Sequence, residues 1–179
     1  MQIKVLPSEI ANMIAAGEVV ERPFSVVKEL VENSIDAKAK NITVEIKKGA
    51  MSFIRVTDDG VSIHPDDIET AVLRHATSKI STKEDLEKIY TLGFRGEALA
   101  SICAVSKVDI FARCQGFPYG TSASFEAGRL VKKDVAYAAA TAPASVAVIT
   151  PIETPTSRTM MVEKPQKAFL ISCHASFKV

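Results

Sequence analysis

The sequence predicts an α+β domain, with helices packed on one face of a mainly antiparallel (mixed) sheet. Three observations predict it. Helix-like and strand-like stretches come in runs rather than in strict alternation. Adjacent strand signals are separated by short turns, as in hairpins. Apolar residues make up 47% of the 179 residues against 24% charged, enough for one buried core. The well-patterned region, 1–130, is taken as the body of the domain, and 131–179 as a divergent or truncated continuation of it.

Taken in order, "LPSEIANMIAAGEVVERP" reads as a helix, with Ile10, Met13 and Ile14 on a short apolar face and Gly17 near its end. "PFSVVKELVENSIDA" reads as a second helix, started by Pro23 or Ser25. In "NITVEIKKGAMSFIRVTDDG", Ile42, Val44 and Ile46 alternate with polar residues. A Lys-Gly turn follows, and then Ile54 and Val56 alternate in the same way, the pattern of a hairpin with one wet face. "HPDDIETAVLRHA" predicts a further helix. A shorter one is predicted from Ser81, where Ser81 and Glu84 have capping-box spacing. "RGEALASICAV" predicts another helix, and "KVDIFARC" and "SASFEA" predict strands. Beyond Val131 the signals weaken, with "SVAVI" and "HASFKV" the strand-like stretches there.

Bulk properties exclude several classes. A net charge of +1 leaves no strong electrostatic footprint for nucleic acid or for a membrane surface. Cys103, Cys114 and Cys173 form no C-x-x-C pair, which points to a reducing compartment rather than a disulfide frame or a zinc site. His64, His75 and His174 are scattered and suggest neither a metal cluster nor a catalytic triad. The N-terminus has no apolar run of signal-peptide length. The uncharged stretch 135–152 carries two prolines, small residues, Thr and Ser, which argue against a membrane span.

Four stretches could carry chemistry. Glu29, Asn33 and Asp36 fall at i, i+4 and i+7, so the second helix carries a carboxylate, an amide and another carboxylate on one face. On spacing alone, a solvated polar face accounts for them. Asp58-Asp59-Gly60 ends a strand with a carboxylate at the sheet edge and a backbone free to turn, although Asp-Gly is also a common turn pair. Thr77, Ser78 and Lys79 suit a phosphate and equally an ordinary helix end. Gly93 and Gly96 flank Phe94-Arg95 and lead into a helix, whose free N–H groups and dipole form an anion site or else a plain helix start. Neither a Walker P-loop nor a G-x-G-x-x-G occurs.

"IAAGEVVERPFSVVKELVENSIDA", "DDG", "ATSKI" and "GFRGEALASI", in this order and at these separations, closely resemble the N-terminal ATPase domain of the MutL family of DNA mismatch repair proteins. That family belongs to the GHKL ATPase group, with gyrase B, a class of heat-shock chaperones and sensor histidine kinases. The match covers residues 3–112, and "IAAGEV", "ERP" and "GFRGEALASI" look specific to MutL proteins within the group.

The resemblance implies a Bergerat-type ATP-binding sandwich with ATP and Mg2+ as cofactors. Glu29 would be the general base, Asn33 the Mg2+ ligand, and Asp58 the acceptor for the adenine amino group. Gly60 would keep the approach to the base open. Asp36 and Ala37 would shape the pocket wall, and Ile63 belongs to the same nucleotide-binding set. Thr77, Ser78 and Lys79 would lie near the base and sugar-phosphate region. Gly93, Phe94, Arg95, Gly96, Glu97, Ala98 and Leu99 would form a lid over the phosphates. It further implies slow hydrolysis, lid ordering, a nucleotide-dependent dimer of N-terminal domains and signalling to mismatch repair partners. Weak DNA binding by the whole protein, no membrane role, and a cytoplasmic (bacterial) or nuclear (eukaryotic) location go with it.

The sequence departs from the family at two places. Ser62 stands at the second glycine of Asp-x-Gly-x-Gly, a costly position if it needs positive φ. In the last third, only Thr154-Pro155 and Arg158 can be laid on the fourth nucleotide motif. A fragment or degenerate relative is therefore expected, and nucleotide binding without effective hydrolysis is the alternative function. Another member of the GHKL group is disfavoured by the MutL-specific stretches. A Ser nucleophile at Ser25 in "SVVK" is set aside, because neither S-D-N nor K-T-G accompanies it.

Overall fold

The computed structural model describes residues 3–7, 10–11, 14, 17, 22–80, 82–87, 91–93, 95–136, 144–152 and 175–178. Its framework is a seven-stranded sheet: β1 (Asn41–Lys47), β2 (Phe53–Asp58), β3 (Ser106–Ala112), β4 (Gly120–Glu126), β5 (Arg129–Ala136), β6 (Ser145–Pro151) and β7 (Ala175–Lys178), in the order β5-β4-β3-β6-β2-β1-β7. Every pairing is antiparallel.

Alternation along each strand builds one continuous inner face. Val56 lies between Val44 and Ala147, and Ala147 in turn lies opposite Ile110 and then Ala123. The row beside it runs Ile46, Ile54, Ile149, Val108, Phe125. Most of these side chains are buried, and they belong to the single core cluster.

Helix α1 (Pro23–Asp36) packs on β1 and β2, and α3 (Ala98–Val105) on β3 and β4, with the two helices touching each other. Pro23 starts α1, where a missing N–H costs nothing. Val26, Leu30 and Ser34, four residues apart, form its buried stripe. The helix ends in a Schellman turn: Ala39 N–H donates to the Ser34 carbonyl and Lys38 N–H to that of Ile35, with Lys38 left-handed at φ 62°. Before α1, Ile10, Ala11, Ile14 and Gly17 are helical, and Ala11 N–H donates to the Pro7 carbonyl at 3.0 Å. Met13, the other residue predicted for that helix's apolar face, lies outside the described residues.

Two expectations need correction. The helix predicted over "HPDDIETAVLRHA" is a series of turns with only a short 3-10 stretch, Thr70–Val72. Its buried side chains are Ile68 and Val72 alone, too narrow a stripe to stabilise a helix whose other positions are exposed or only half-buried. The capping box sits one residue later than predicted. Thr82 Oγ1 accepts from Asp85 N–H and Asp85 Oδ2 accepts from Thr82 N–H, heading α2 (Lys83–Glu87). Ser81 lies outside the described residues. Strand β5 was not predicted: it is the sheet's edge, almost wholly exposed, and so lacks the alternation that marks a strand in sequence.

Candidate functional site

The end of β2, the C-terminal half of α1 and residues 75–79, 91–93 and 95–97 converge beside the sheet. Asp58, the last residue of β2, is buried. Its carboxylate accepts from Gly60 N–H at 3.0 Å, and the Ser34 hydroxyl lies 3.1 Å from Asp58 Oδ2. Burial pushes its pKa up, and the two donors only partly oppose this. Ser34 was not predicted as a site residue. Its signal was a hydroxyl on an otherwise apolar stripe.

Gly60 is required by the protein's own backbone. A Cβ there would sit 2.6 Å from the Ala37 carbonyl oxygen, which accepts from Val61 N–H at 2.7 Å. Its hydrogen thus faces the end of α1. Ser62 is not among the residues with left-handed backbone, so the feared strain is absent. Its hydroxyl donates to the Ala144 carbonyl at 2.9 Å, and Ala144 N–H donates to the Asp58 carbonyl at 3.1 Å. Ile63 packs against the core, and its carbonyl accepts from the Cys114 thiol at 3.3 Å. The first turn past β2 is thereby laced to the start of β6.

A second cluster lies on the other side of α1's end. Asp36, whose side chain is 7% exposed, accepts from Leu92 N–H at 3.1 Å and Gly93 N–H at 3.2 Å, and forms an ion pair of 2.5 Å with Lys79 Nζ. The same ammonium donates to Asn33 Oδ1 at 3.1 Å. Burial raises the Asp36 pKa, but Lys79 and the two amides outweigh it and hold the carboxyl below its usual range. The native state therefore binds fewer protons than the unfolded chain just below the ordinary aspartate pKa. Stability from Asp36 is present above that pKa and is lost as pH falls through the lowered folded value. Asp36→Asn is thus expected to destabilise the chain at pH 7 and to lose that deficit in acid, as urea titrations at several pH values will show.

The approach to α3 is pinned as well, at Gly96. Gly96 is left-handed at φ 63°, and a Cβ on it would meet the Ala76 carbonyl oxygen at 2.4 Å. His75, itself at φ 61°, donates its N–H to the Gly96 carbonyl at 3.0 Å, and its Nδ1 lies 3.5 Å from Glu97 Oε1. Thr77 Oγ1 accepts from Lys79 N–H at 3.2 Å, while Ser78 and Arg95 are exposed. Ala98 and Leu99 open α3, Leu99 packing on the core. Phe94 lies outside the described residues.

Glu29 stands one turn before Asn33 on the same face of α1, half-buried, with Lys28 Nζ 3.5 Å from its Oε1. Structure thus brings Asn33, Asp36, Lys79 and Gly93 into contact, and places Asp58, Gly60 and Ala37 beside them through α1. A cavity of about 530 Å3 at the opposite end of the sheet, lined by Met51, Lys107, Glu126 and Thr150 among others, involves none of them.

Residues 21–159 match the family model of histidine kinase-, DNA gyrase B- and HSP90-like ATPases. The chain belongs to that ATPase family, as a MutL-like N-terminal ATPase domain. It is 57% identical over 129 residues to the DNA mismatch repair protein MutL of Clostridium botulinum (strain Kyoto / Type A2), covering 72% of this chain and 19% of that protein. It is 56% identical over 128 residues to MutL of Clostridium beijerinckii, with the same shares covered. The chain therefore spans about a fifth of the length of these relatives. Among solved structures, the Aquifex aeolicus MutL ATPase domain complexed with ADP matches with a TM-score of 0.54 and 34% identity, over 74% of this chain and 43% of that one. A structure described as the N-terminal domain of a DNA repair protein matches with a TM-score of 0.62 and 29% identity, over 78% and 38%.

Proposed function

We propose that the chain binds ATP between α1, the end of β2 and the 91–97 segment, and hydrolyses it slowly as part of a mismatch repair protein. The observation that carries this reading is the convergence on α1 of one buried carboxylate, Asp58, and one metal-competent amide, Asn33, beneath a glycine-flanked segment. The family match and the ADP complex of the Aquifex relative support it.

Asn33 Oδ1 is a neutral hard oxygen, which suits Mg2+. Among the described residues no group of three His, Cys, Asp or Glu could hold a metal. That donor set fits an ion delivered with its phosphate oxygens rather than one held in an all-protein cage. Bound there, it would neutralise charge on the phosphates. Glu29 orients the attacking water and takes its proton. Asp58 accepts from the adenine amino group, a donor that guanine replaces with a carbonyl. Amides of the 93–99 segment close on the phosphates.

Binding without effective hydrolysis is the second reading, favoured by the Lys28 ammonium beside Glu29, which competes for the base. Titrating ATP and GTP in the presence of Mg2+ tests the binding reading. ATP is expected to bind at least tenfold more tightly, and equal affinities would refute the role of Asp58.

The signalling dimer, weak DNA binding and repair partners belong to the longer protein that the relatives represent. The location is read as cytoplasmic, since the relatives are clostridial. Among the described residues no helix is long and apolar enough to cross a membrane.

A further inference from the structure

Lys79 does more here than approach a phosphate. Its ammonium lies between Asn33 Oδ1 (3.1 Å) and Asp36 Oδ2 (2.5 Å), and the same carboxylate holds the amides of Leu92 and Gly93. A Cβ on Gly93 would stand 3.6 Å from Lys79 Nζ and 3.8 Å from Asn33 Oδ1, so the start of the lid lies directly over this pair. A largely buried carboxylate next to an amide oxygen needs a positive charge, and Lys79 supplies it to both side chains. An amide oxygen that accepts from an ammonium has its dipole turned toward a cation, which is the orientation a metal ligand needs.

We propose that Lys79 is the resident cation of the nucleotide-free site: it occupies Asn33 Oδ1 in place of a metal, anchors the Leu92 and Gly93 amides at the entry to the lid through Asp36, and yields Asn33 to the ion that arrives with the nucleotide. The identity of that ion rests on the nucleotide reading above; the anchoring does not. Lys79 and Asp36 are then positioning residues, acting through Asn33 and the lid backbone. The arrangement also explains why Asp36 carries a charge where a neutral wall residue would fill the space.

The test is amide exchange by NMR on the 179-residue chain without nucleotide, followed by Mg2+ titration at saturating ATP. Leu92 has an exposed side chain, so protection of its N–H reports the bond to Asp36 rather than burial. Lys79→Met is expected to speed exchange at Leu92 and Gly93 at least tenfold, with Val108 in the core unchanged. Lys79→Arg should restore protection to within about threefold of the parent. Asp36→Asn, which keeps the side chain's shape, should reproduce the loss should Lys79→Met fold poorly. With ATP, Lys79→Met should need at least threefold less Mg2+ for half-maximal binding, because no ammonium has to be displaced. Unchanged exchange at Leu92 and Gly93 in both Lys79→Met and Asp36→Asn overturns the anchoring, and an equal or higher Mg2+ requirement overturns the displacement. Should the parent chain bind no ATP, the nucleotide reading fails, and the exchange measurement alone decides whether Lys79 anchors the lid.

Discussion

Glu29→Ala is expected to remove ATP hydrolysis while leaving ATP affinity within about threefold of the parent. The side chain is half-buried on the α1 face that also carries Asn33 and Asp36, and among the described residues it takes no part in the hydrogen bonds that hold Leu92 and Gly93. Losing it should therefore not release Leu92, Gly93 or Asp58. A positioned general base contributes roughly 100- to 10,000-fold to a rate, so the variant should fall to background in a phosphate-release assay. Calorimetry on the same sample provides the control. Hydrolysis persisting at the parent rate would remove Glu29 from the mechanism, and loss of binding together with hydrolysis would make it a structural residue.

Gly96→Ala should be the most damaging single change to the segment that leads into α3. The left-handed backbone costs an alanine about 1 kcal/mol. The new Cβ would also stand 2.4 Å from the Ala76 carbonyl oxygen, in a place that backbone rather than a flexible side chain occupies. Relief requires the backbone at Gly96 and segment 75–79 to separate, which breaks the His75–Gly96 bond and displaces the start of α3. A total loss of about 2–4 kcal/mol is expected from strain plus overpacking. Denaturant titration will measure it, and nucleotide affinity should fall in parallel. A variant as stable as the parent would mean that the two segments are not in register as described.

Much of this was legible in the sequence, for identifiable reasons. The β1–β2 hairpin and α1 were, because alternation and four-residue spacing are local properties that burial enforces. The helix expected at 64–76 was not a helix, because two buried residues, Ile68 and Val72, imitate an amphipathic stripe without providing its width. β5 escaped notice because an edge strand with exposed faces has no pattern to show. At the site, Asn33, Asp36, Asp58, Lys79 and Gly93 were singled out, but not the contacts they make. Nothing local joins Ser34 to Asp58, Lys79 to Asp36, or Ser62 to Ala144, contacts that span 24, 43 and 82 positions of chain. Tertiary packing alone creates them. Ser62 illustrates the limit well: its cost hinged on a backbone angle that sequence cannot report, and its hydroxyl found an acceptor on a segment where few elements could be placed.

Gly60 and Gly96 divide the signature of this fold into two kinds of information. Each is dictated by main-chain atoms of the protein itself, Ala37 in one case and Ala76 in the other. A descendant that had abandoned nucleotides entirely would still need both to assemble. Glu29 is under no such architectural obligation and could drift once turnover ceased to matter. If Glu29 has the role proposed above, the glycines testify to ancestry and the acid on the helix testifies to employment.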